Sequence, residues 1–514
     1  MSEQWNRRGF LKSISYGAAA LTFPQNIAPP QPAGGKPSIV VILADDMGYG
    51  DISCQSVDTK IHTPQMDRLA AQGMRFTDAH STSAVCTPSR YSLLTGRYCW
   101  RSRMKRSVLQ GYDAPLIEPR RLTVGSLLQQ HGYTTACIGK WHLGFGWRTK
   151  DGQVAPWKDG KQVAEAMNFV DYGKPLAVSP RDQGFDYFYG FSAALDMAPY
   201  CYIENDRVVV APTDYTPGGD TRRTGFWRPG PIAPGFKHVE VLPNLTHRAV
   251  QYINEHARKS AETPFFLYFP LNAPHRPIAP ADFVKGSSQA GDYGDFIVEV
   301  DWAVGQVMDA LERNGIADHT LVMLTSDNGS PGNTNEDDTT YAVTRLYQHY
   351  PNGKLRGIKA DIWDGGHREP FIVRWPGNVA PGAVNAETVC LSDLMATCAA
   401  IVGDKLPADA GEDSANILPA LLMGERAGGI RQSTIHHSIE GMYAIRSGPW
   451  KLILGQGNGG WGQCQYSAKP DDPEGQLYNM EVDVEEKENV YDQHPDVVRN
   501  LTALLQEIKL QGHS

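Results

Sequence analysis

Beyond its first few dozen residues the chain has no apolar run long enough to cross a bilayer, which argues against an integral membrane protein. It has no CxxC pair of the kind that holds zinc, and no basic stripe offsets its formal net charge of -9. A general polyanion-binding surface is therefore excluded, and any anionic ligand must be gripped by a local cluster. Internal repeats and low-complexity tracts are also missing, so solenoid and disordered architectures do not apply. Eight cysteines in 514 residues are too sparse for a disulfide framework. Cys54, Cys86, Cys99, Cys137, Cys201, Cys390, Cys398 and Cys464 are scattered, leaving room for one or two disulfides after export.

At 41% hydrophobic residues, the chain is long enough for one large domain with a smaller one appended, or for several ordinary domains. Residues 1–35 read as a targeting segment. Arg7 and Arg8 open the run RRGFLK, and a mildly apolar stretch at 14–23 follows, too short and too polar to stay in a membrane. The run resembles a twin-arginine export signal, with processing expected between Phe23 and Lys36. It implies a twin-arginine translocase as partner and an exported, periplasmic location in a bacterium.

Short β-branched or aromatic runs at 39–43, 134–138, 265–269, 321–324 and 371–375 are each read as a strand. Helical spacing of apolar residues appears at 64–71, 122–130, 296–313 and 392–402, with Gly132 and Gly315 as stops. This order predicts an α/β domain with a mainly parallel sheet flanked by helices over residues 36–430. Residues 431–514 read as a smaller α+β subdomain, with a strand pair at 442–454 turned at Ser447-Gly448 and a terminal amphipathic helix at 496–510. The run at 455–462 reads as a surface loop.

In a parallel sheet, ligands bind beyond the carboxyl ends of the strands. Asp45-Asp46 follows the first predicted strand, Lys140 and His142 the second, His275 the third, and Asp327-Asn328 the fourth. An Asp pair there is ordinarily a cap or a turn, and a lone loop histidine ordinarily structural. Four such strand ends in one domain point instead to one shared site. Asp45, Asp46, Asp327 and Asn328 offer only oxygens, which suits a hard cation; three carboxylates and a carboxamide favour calcium over magnesium, which keeps more water.

The run CTPSRYSLLTGR at 86–97 places Cys86 beside Pro88 and adjacent Ser and Thr caps, hence at a helix N-terminus, where the dipole favours negative charge. Arg90 adds a cation one turn on. These features alone leave Cys86 open to two readings, an activated thiolate nucleophile or a buried structural cysteine.

The pattern Cys86, Pro88, Ser89, Arg90, Leu94, Thr95, Gly96, Arg97 resembles the signature of the type I sulfatases, formylglycine-dependent enzymes of the alkaline-phosphatase-like superfamily. The resemblance extends over nearly the whole chain, through ADDMGYGD at 44–51, GKWHLG at 139–144, APHRP at 273–277, TSDNG at 325–329 and LRGIKADIWDGGHREP at 355–370. It implies an alkaline-phosphatase-like fold and conversion of Cys86 to formylglycine (3-oxoalanine) by a formylglycine-generating enzyme, which acts on the unfolded chain and hence before export. It further implies that Asp45, Asp46, Asp327 and Asn328 hold the metal together with an oxygen of the modified Cys86. Arg90 and Lys140 would orient the formylglycine, His142 would act as base, and His275 and Lys359 would bind the sulfate and assist the leaving oxygen. Asp364 stands where the family more often has Glu.

The implied reaction is hydrolysis of a sulfate monoester by a formylglycine hydrate through a sulfated-enzyme intermediate. The implied substrate is an O-sulfated saccharide or aryl sulfate, and the stretch at 86–103 resembles enzymes taking 6-O-sulfate from galactose or N-acetylgalactosamine. Segments 101–121, 148–239 and 333–351 are expected to shape the pocket. His436 and His437 read as structural rather than reaching it. Competing functions are a phosphatase, phosphodiesterase or phosphonate hydrolase of the same superfamily, which would need further His and Asp ligands for a second metal, and a catalytically silent binder of sulfated glycans.

Overall fold

The computed structural model describes residues 35–154, 169–221, 225–260, 262–332, 343–423, 429–461 and 471–514. The expected export signal, but for its last residue, and Cys464 lie outside them, as do parts of two expected pocket segments.

A ten-stranded mixed sheet carries the molecule. Its strands in chain order are β1 (Ser38–Asp45), β2 (Met74–Phe76), β3 (Thr134–Lys140), β4 (Tyr187–Phe191), β5 (Ile203–Glu204), β6 (Arg207–Val208), β7 (Phe265–Pro274), β8 (Thr320–Ser326), β9 (Phe371–Arg374) and β10 (Ala383–Asn385). The spatial order is β10-β2-β9-β8-β1-β7-β3-β4-β5-β6. The five central strands, from β8 to β4, are all parallel. Antiparallel pairs lie outside them, with β9 against β8 and β5 against β4.

The sequence of β1 explains its place at the centre. It is apolar at consecutive positions and buried on both faces, as a parallel strand covered on both sides must be. Ile39, Val41 and Leu43 enter one core and Val40, Ile42 and Ala44 the other. Helices α1 (Pro64–Ala71), α4 (Val241–Lys259) and α5 (Gly291–Arg313) supply Leu69, Leu245, Val300 and Val304 to the second core. Helices α2 (Cys86–Thr95), α3 (Val124–Gln130) and α6 (Leu394–Val402) supply Leu94, Leu128 and Met395 to the first.

A separate four-stranded antiparallel sheet forms near the C-terminus from β11 (Thr434–His437), β12 (Tyr443–Ser447), β13 (Trp450–Ile453) and β14 (Gln476–Asn479), in chain order. Helix α7 (Pro495–Gln511) lays Leu501, Leu505 and Ile508 against Ile435, Ile445, Leu452 and Leu477 of that sheet and against Tyr98 and Trp100 of the larger unit. The two units are thus joined by apolar packing. They are also joined by backbone: His437 N–H donates to Thr82 O at 3.2 Å and Ala84 N–H to His437 O at 3.1 Å, two residues before Cys86.

Candidate active site

The parallel strands end together, and the predicted residues meet there. Asp45 closes β1, Lys140 closes β3, and Asp327-Asn328 follow β8 directly. His275 follows β7. Cys86 is the first residue of α2, as the helix dipole reading requires, although its N-cap is Val85, with no side-chain hydrogen bond. The nearby hydroxyls bond elsewhere: Ser89 Oγ donates to Ser83 O at 2.8 Å and Thr87 Oγ1 to His142 O at 3.1 Å, tying α2 to neighbouring loops.

Backbone conformation marks the site as well. Asp46, His142 and Ala360, the last adjoining Lys359, have φ of 69°, 57° and 79°, a left-handed region that costs a side-chain-bearing residue energy. Tertiary bonds hold these turns. Asp46 N–H donates to Asp327 Oδ1 at 3.2 Å, His142 N–H to Ser192 O at 3.0 Å, and Ala360 N–H to Ala84 O at 2.8 Å.

Three buried carboxylates face three cations. Arg90 Nε donates to Asp327 Oδ2 at 2.8 Å, and Arg90 Nη2 lies 2.7 Å from the same oxygen and 3.6 Å from Asp45 Oδ1. Lys140 Nζ donates to Asp45 Oδ2 at 2.6 Å, and Lys359 Nζ meets both oxygens of Asp46 at 2.7 and 2.8 Å. Asn328 Nδ2 donates to Asp46 Oδ1 at 2.7 Å, and His275 Nε2 sits 3.7 Å from Asp46 Oδ2. His142 Nε2 bonds Leu109 O at 2.8 Å, leaving Nδ1 buried without a hydrogen-bond partner.

Burial and charge compete across this cluster. Burial works to raise Asp45, but Lys140, His275, Arg90 and Lys359 overcome it and hold the carboxyl well below its usual range. Burial pushes Asp46 up to about 6 against the pull of Lys359. Burial raises the Cys86 thiol, with Lys140 and Lys359 only opposing, which works against the activated thiolate of the alternative reading. His142 and His275 are held well below the usual imidazole value, by burial first and then by Lys140 and Lys359 respectively, so both are neutral near neutral pH.

Asp45 Oδ1 and Asn328 Oδ1 are buried with no hydrogen-bond partner, and Asp45, Asp46 and His275 bring ligand atoms within 4.8 Å of one another. Orphaned oxygens in a dry pocket are what a hard cation satisfies. A second group, His80, Asp364 and His436, is equally close. Here, however, Asp364 is already paired with Lys451 at 2.7 Å and Arg368 at 2.9 Å, and His436 stacks between His80 and His367 at 4.9 and 4.8 Å. His436 of β11 belongs to this second cluster, where its stacking on His80 and His367 joins the small sheet to the larger unit.

Two contributors have no sequence motif. The Leu109 carbonyl orients His142, and the run at 455–461 packs its backbone against the Lys359 segment rather than standing free as a surface loop. Neither a lone carbonyl nor a glycine-rich run carries a pattern legible in the residues alone.

The sulfatase family model matches residues 37–403. An N-acetylgalactosamine-6-O-sulfatase of Bacteroides thetaiotaomicron is 33% identical over 508 residues, covering 92% of this chain and 93% of that protein. Arylsulfatase A of Homo sapiens is 32% identical over 426 residues, covering 81% and 74%. A solved structure from work on the metabolism of multiple glycosaminoglycans by Bacteroides thetaiotaomicron superposes with a TM-score of 0.77 at 30% identity, over 92% of this chain and 99% of that one. With the alkaline-phosphatase-like sheet and the convergent strand ends in place, these similarities mean that the chain belongs to the type I sulfatase family and is a sulfuric ester hydrolase.

Proposed function

We propose that the protein removes 6-O-sulfate from galactose or N-acetylgalactosamine units of sulfated saccharides, using a formylglycine made from Cys86 and a calcium ion. The observation that carries this reading is the convergence of Arg90, Lys140, Lys359 and His275 on the buried Asp45, Asp46, Asp327 and Asn328, with His142 within the electrostatic reach of Lys140, Arg90 and Asp45. Support for the saccharide comes from the similarity to an N-acetylgalactosamine-6-O-sulfatase over nearly the full length of both chains.

The donor set fits a hard divalent cation, since every proposed ligand atom from Asp45, Asp46, Asp327 and Asn328 is oxygen and two of those oxygens are unsatisfied. Bound there, calcium would neutralise charge developing on the ester oxygens. A formylglycine at position 86 would supply, as its hydrate, one hydroxyl to attack sulfur and a second whose deprotonation releases sulfate. The chain's own groups do the rest. Three carboxylates are already matched by three cations, so a divalent ion leaves the pocket net positive, the sign that draws in a sulfate ester. Arg90, fixed on Asp327 and donating to Lys140 O at 3.0 Å, holds the head of α2 against β3, and the Lys140 ammonium is itself fixed on Asp45. His142 is neutral, with Nδ1 free to accept a proton. His275 and Lys359, both on Asp46, would grip sulfate oxygens and assist the leaving oxygen.

Export by the twin-arginine route to the periplasm completes the proposal, with Arg7 and Arg8 as the signal and modification of Cys86 preceding transport. No helix among the described residues is long and apolar enough to cross a membrane.

The test is sulfate release from a panel of galactose and N-acetylgalactosamine esters sulfated at single positions, beside an aryl sulfate and matched phosphate and phosphonate esters. The 6-O-sulfates are expected to give the highest kcat/KM. Preferred turnover of phosphate or phosphonate esters would overturn the reading in favour of the superfamily's other chemistries. Dialysis against a calcium chelator is expected to lower activity by at least roughly a hundredfold, and calcium to restore it better than magnesium. Elemental analysis of the active protein should find about one calcium per chain.

A further inference from the structure

We infer that Trp461 is the platform on which the sugar ring of the substrate lies, setting the reach of its sulfate toward the reaction centre; this rests on the saccharide sulfatase function proposed above. Trp461 leaves 46% of its surface open to solvent. The Lys359 ammonium lies 5.8 Å from the centre of its ring. Lys359 in turn grips both oxygens of Asp46, so the exposed indole stands one residue away from the buried carboxylates.

The loop bearing Trp461 is fixed rather than loose. Asn458 Nδ2 donates to Asp361 Oδ1 at 2.8 Å, and Asn458 O accepts from Ile362 N–H at 2.8 Å. Gly460 presses so close to the Lys359 segment that a Cβ there would fall 2.4 Å from Ala360 O. Gln476 Nε2, on β14, ties down Gly455 O at 3.0 Å and Gly457 O at 2.7 Å. The small sheet therefore delivers a preorganised aromatic face to the edge of the site, at little ordering cost on binding.

A half-exposed indole gains little for folding, since much of its apolar surface stays in water. Its face suits a ring that presents contiguous C–H groups and keeps its hydroxyls to the rim. A galacto-configured pyranose is such a ring: with O4 axial, the C–H bonds at C3, C4 and C5 gather on one face, beside the C6 arm that bears the ester. Stacking on Trp461 would position that arm toward Lys359. The cation beside the ring also strengthens the electrostatic fit of a face that must pair with a sulfated ligand.

The expected result for Trp461→Ala is a KM for galactose 6-sulfate raised about tenfold with kcat within about threefold, and recovery of most of the affinity in Trp461→Phe. A parallel measurement uses protein carrying Cys86→Ala, which cannot turn over. Calorimetric binding of galactose 6-sulfate should weaken by a similar factor when Trp461→Ala is added, with circular dichroism and Tm unchanged. Unaltered binding in that background, or a loss that falls on kcat and is not recovered by Phe, would overturn the role of Trp461 while leaving the sulfatase function intact. Failure of the wild type to release sulfate from any saccharide would instead overturn the function, and the binding comparison would still decide whether Trp461 holds the sugar.

Discussion

Replacement of Cys86 by alanine is expected to lower kcat for sulfate release by at least about 10⁴-fold, the scale on which enzymes lose activity when the nucleophile is deleted. Peptide mass spectrometry of the wild type from its native host should show the 86-containing peptide with an aldehyde in place of the thiol. The signature around Cys86 is the reason for expecting both, and the structure bears on the unmodified cysteine. Burial raises the Cys86 thiol, and the Lys140 and Lys359 charges do not reverse it, so the unmodified side chain is a poor nucleophile in its own pocket. Cys86→Ser, in a host that does not convert serine, is expected to release at most one alcohol per chain and no free sulfate, because the sulfate stays on the serine as a simple alkyl ester with no second hydroxyl to expel it. Full turnover by protein whose Cys86 is wholly unmodified would sink the formylglycine mechanism.

The second large effect concerns acid. Relative to His437→Asn, the wild type is expected to lose about 3 kcal/mol of stability between pH 6.5 and about 4. His437 is buried, with Nδ1 on Ser438 O at 3.1 Å and Nε2 without a hydrogen-bond partner, and burial pushes it down to about 4. An unfolded histidine titrates near 6.5. Between these values the unfolded chain binds a proton that the folded one refuses, so the contribution is present in full above the unfolded pKa and is lost as pH falls through the window. His80, His367 and His436, depressed mainly by burial, carry the same sign. Buried carboxylates such as Glu299, raised by burial to about 8, titrate in the opposite sense. For that reason the difference between wild type and variant isolates His437, and it is read from urea midpoints at a series of pH values. A gap independent of pH would show that His437 is hydrated in the fold. Because its backbone bonds Thr82 and Ala84, loosening there should also reduce activity reversibly in acid.

Much of the larger sheet was legible in the residues because a strand covered on both faces must be apolar at consecutive positions. The predicted 39–43, 134–138, 265–269 and 321–324 all lie inside observed parallel strands. The run at 371–375 is different. It forms a strand, but an antiparallel one, and no feature of FIVR distinguishes the two directions; its partners β8 and β2 settle that. Helix α1 spans the predicted 64–71, while α5 begins five residues before its predicted start, where Asp292, Gly294 and Asp295 dilute the apolar pattern. The short strands at the sheet edges have no sequence signal, since two or three residues carry no period.

The site divides along the same line. Aspartates after a buried strand, a cysteine beside a proline at a helix start and a cation one turn later are local patterns, and a parallel sheet gathers the loops beyond its strand ends whatever the rest of the chain does. Residue order was therefore enough to name Asp45, Asp46, Lys140, His142, His275, Asp327 and Asn328 as neighbours, with Cys86, Arg90 and Lys359 joined to them by resemblance. Which charges pair within that crowd was not written in the order. Lys140 on Asp45, Lys359 on Asp46 and Arg90 on Asp327 are outcomes of packing across 95, 313 and 237 residues of sequence separation. The depressed histidines, the raised thiol and the stack of His80, His436 and His367 arise the same way, because desolvation depends on what surrounds a group and not on its neighbours in the chain. The seating of Trp461 beside Lys359 is the furthest case: it needs the small sheet folded, docked and bonded to Asp361 and Ile362 before a glycine-rich loop becomes the wall of a site.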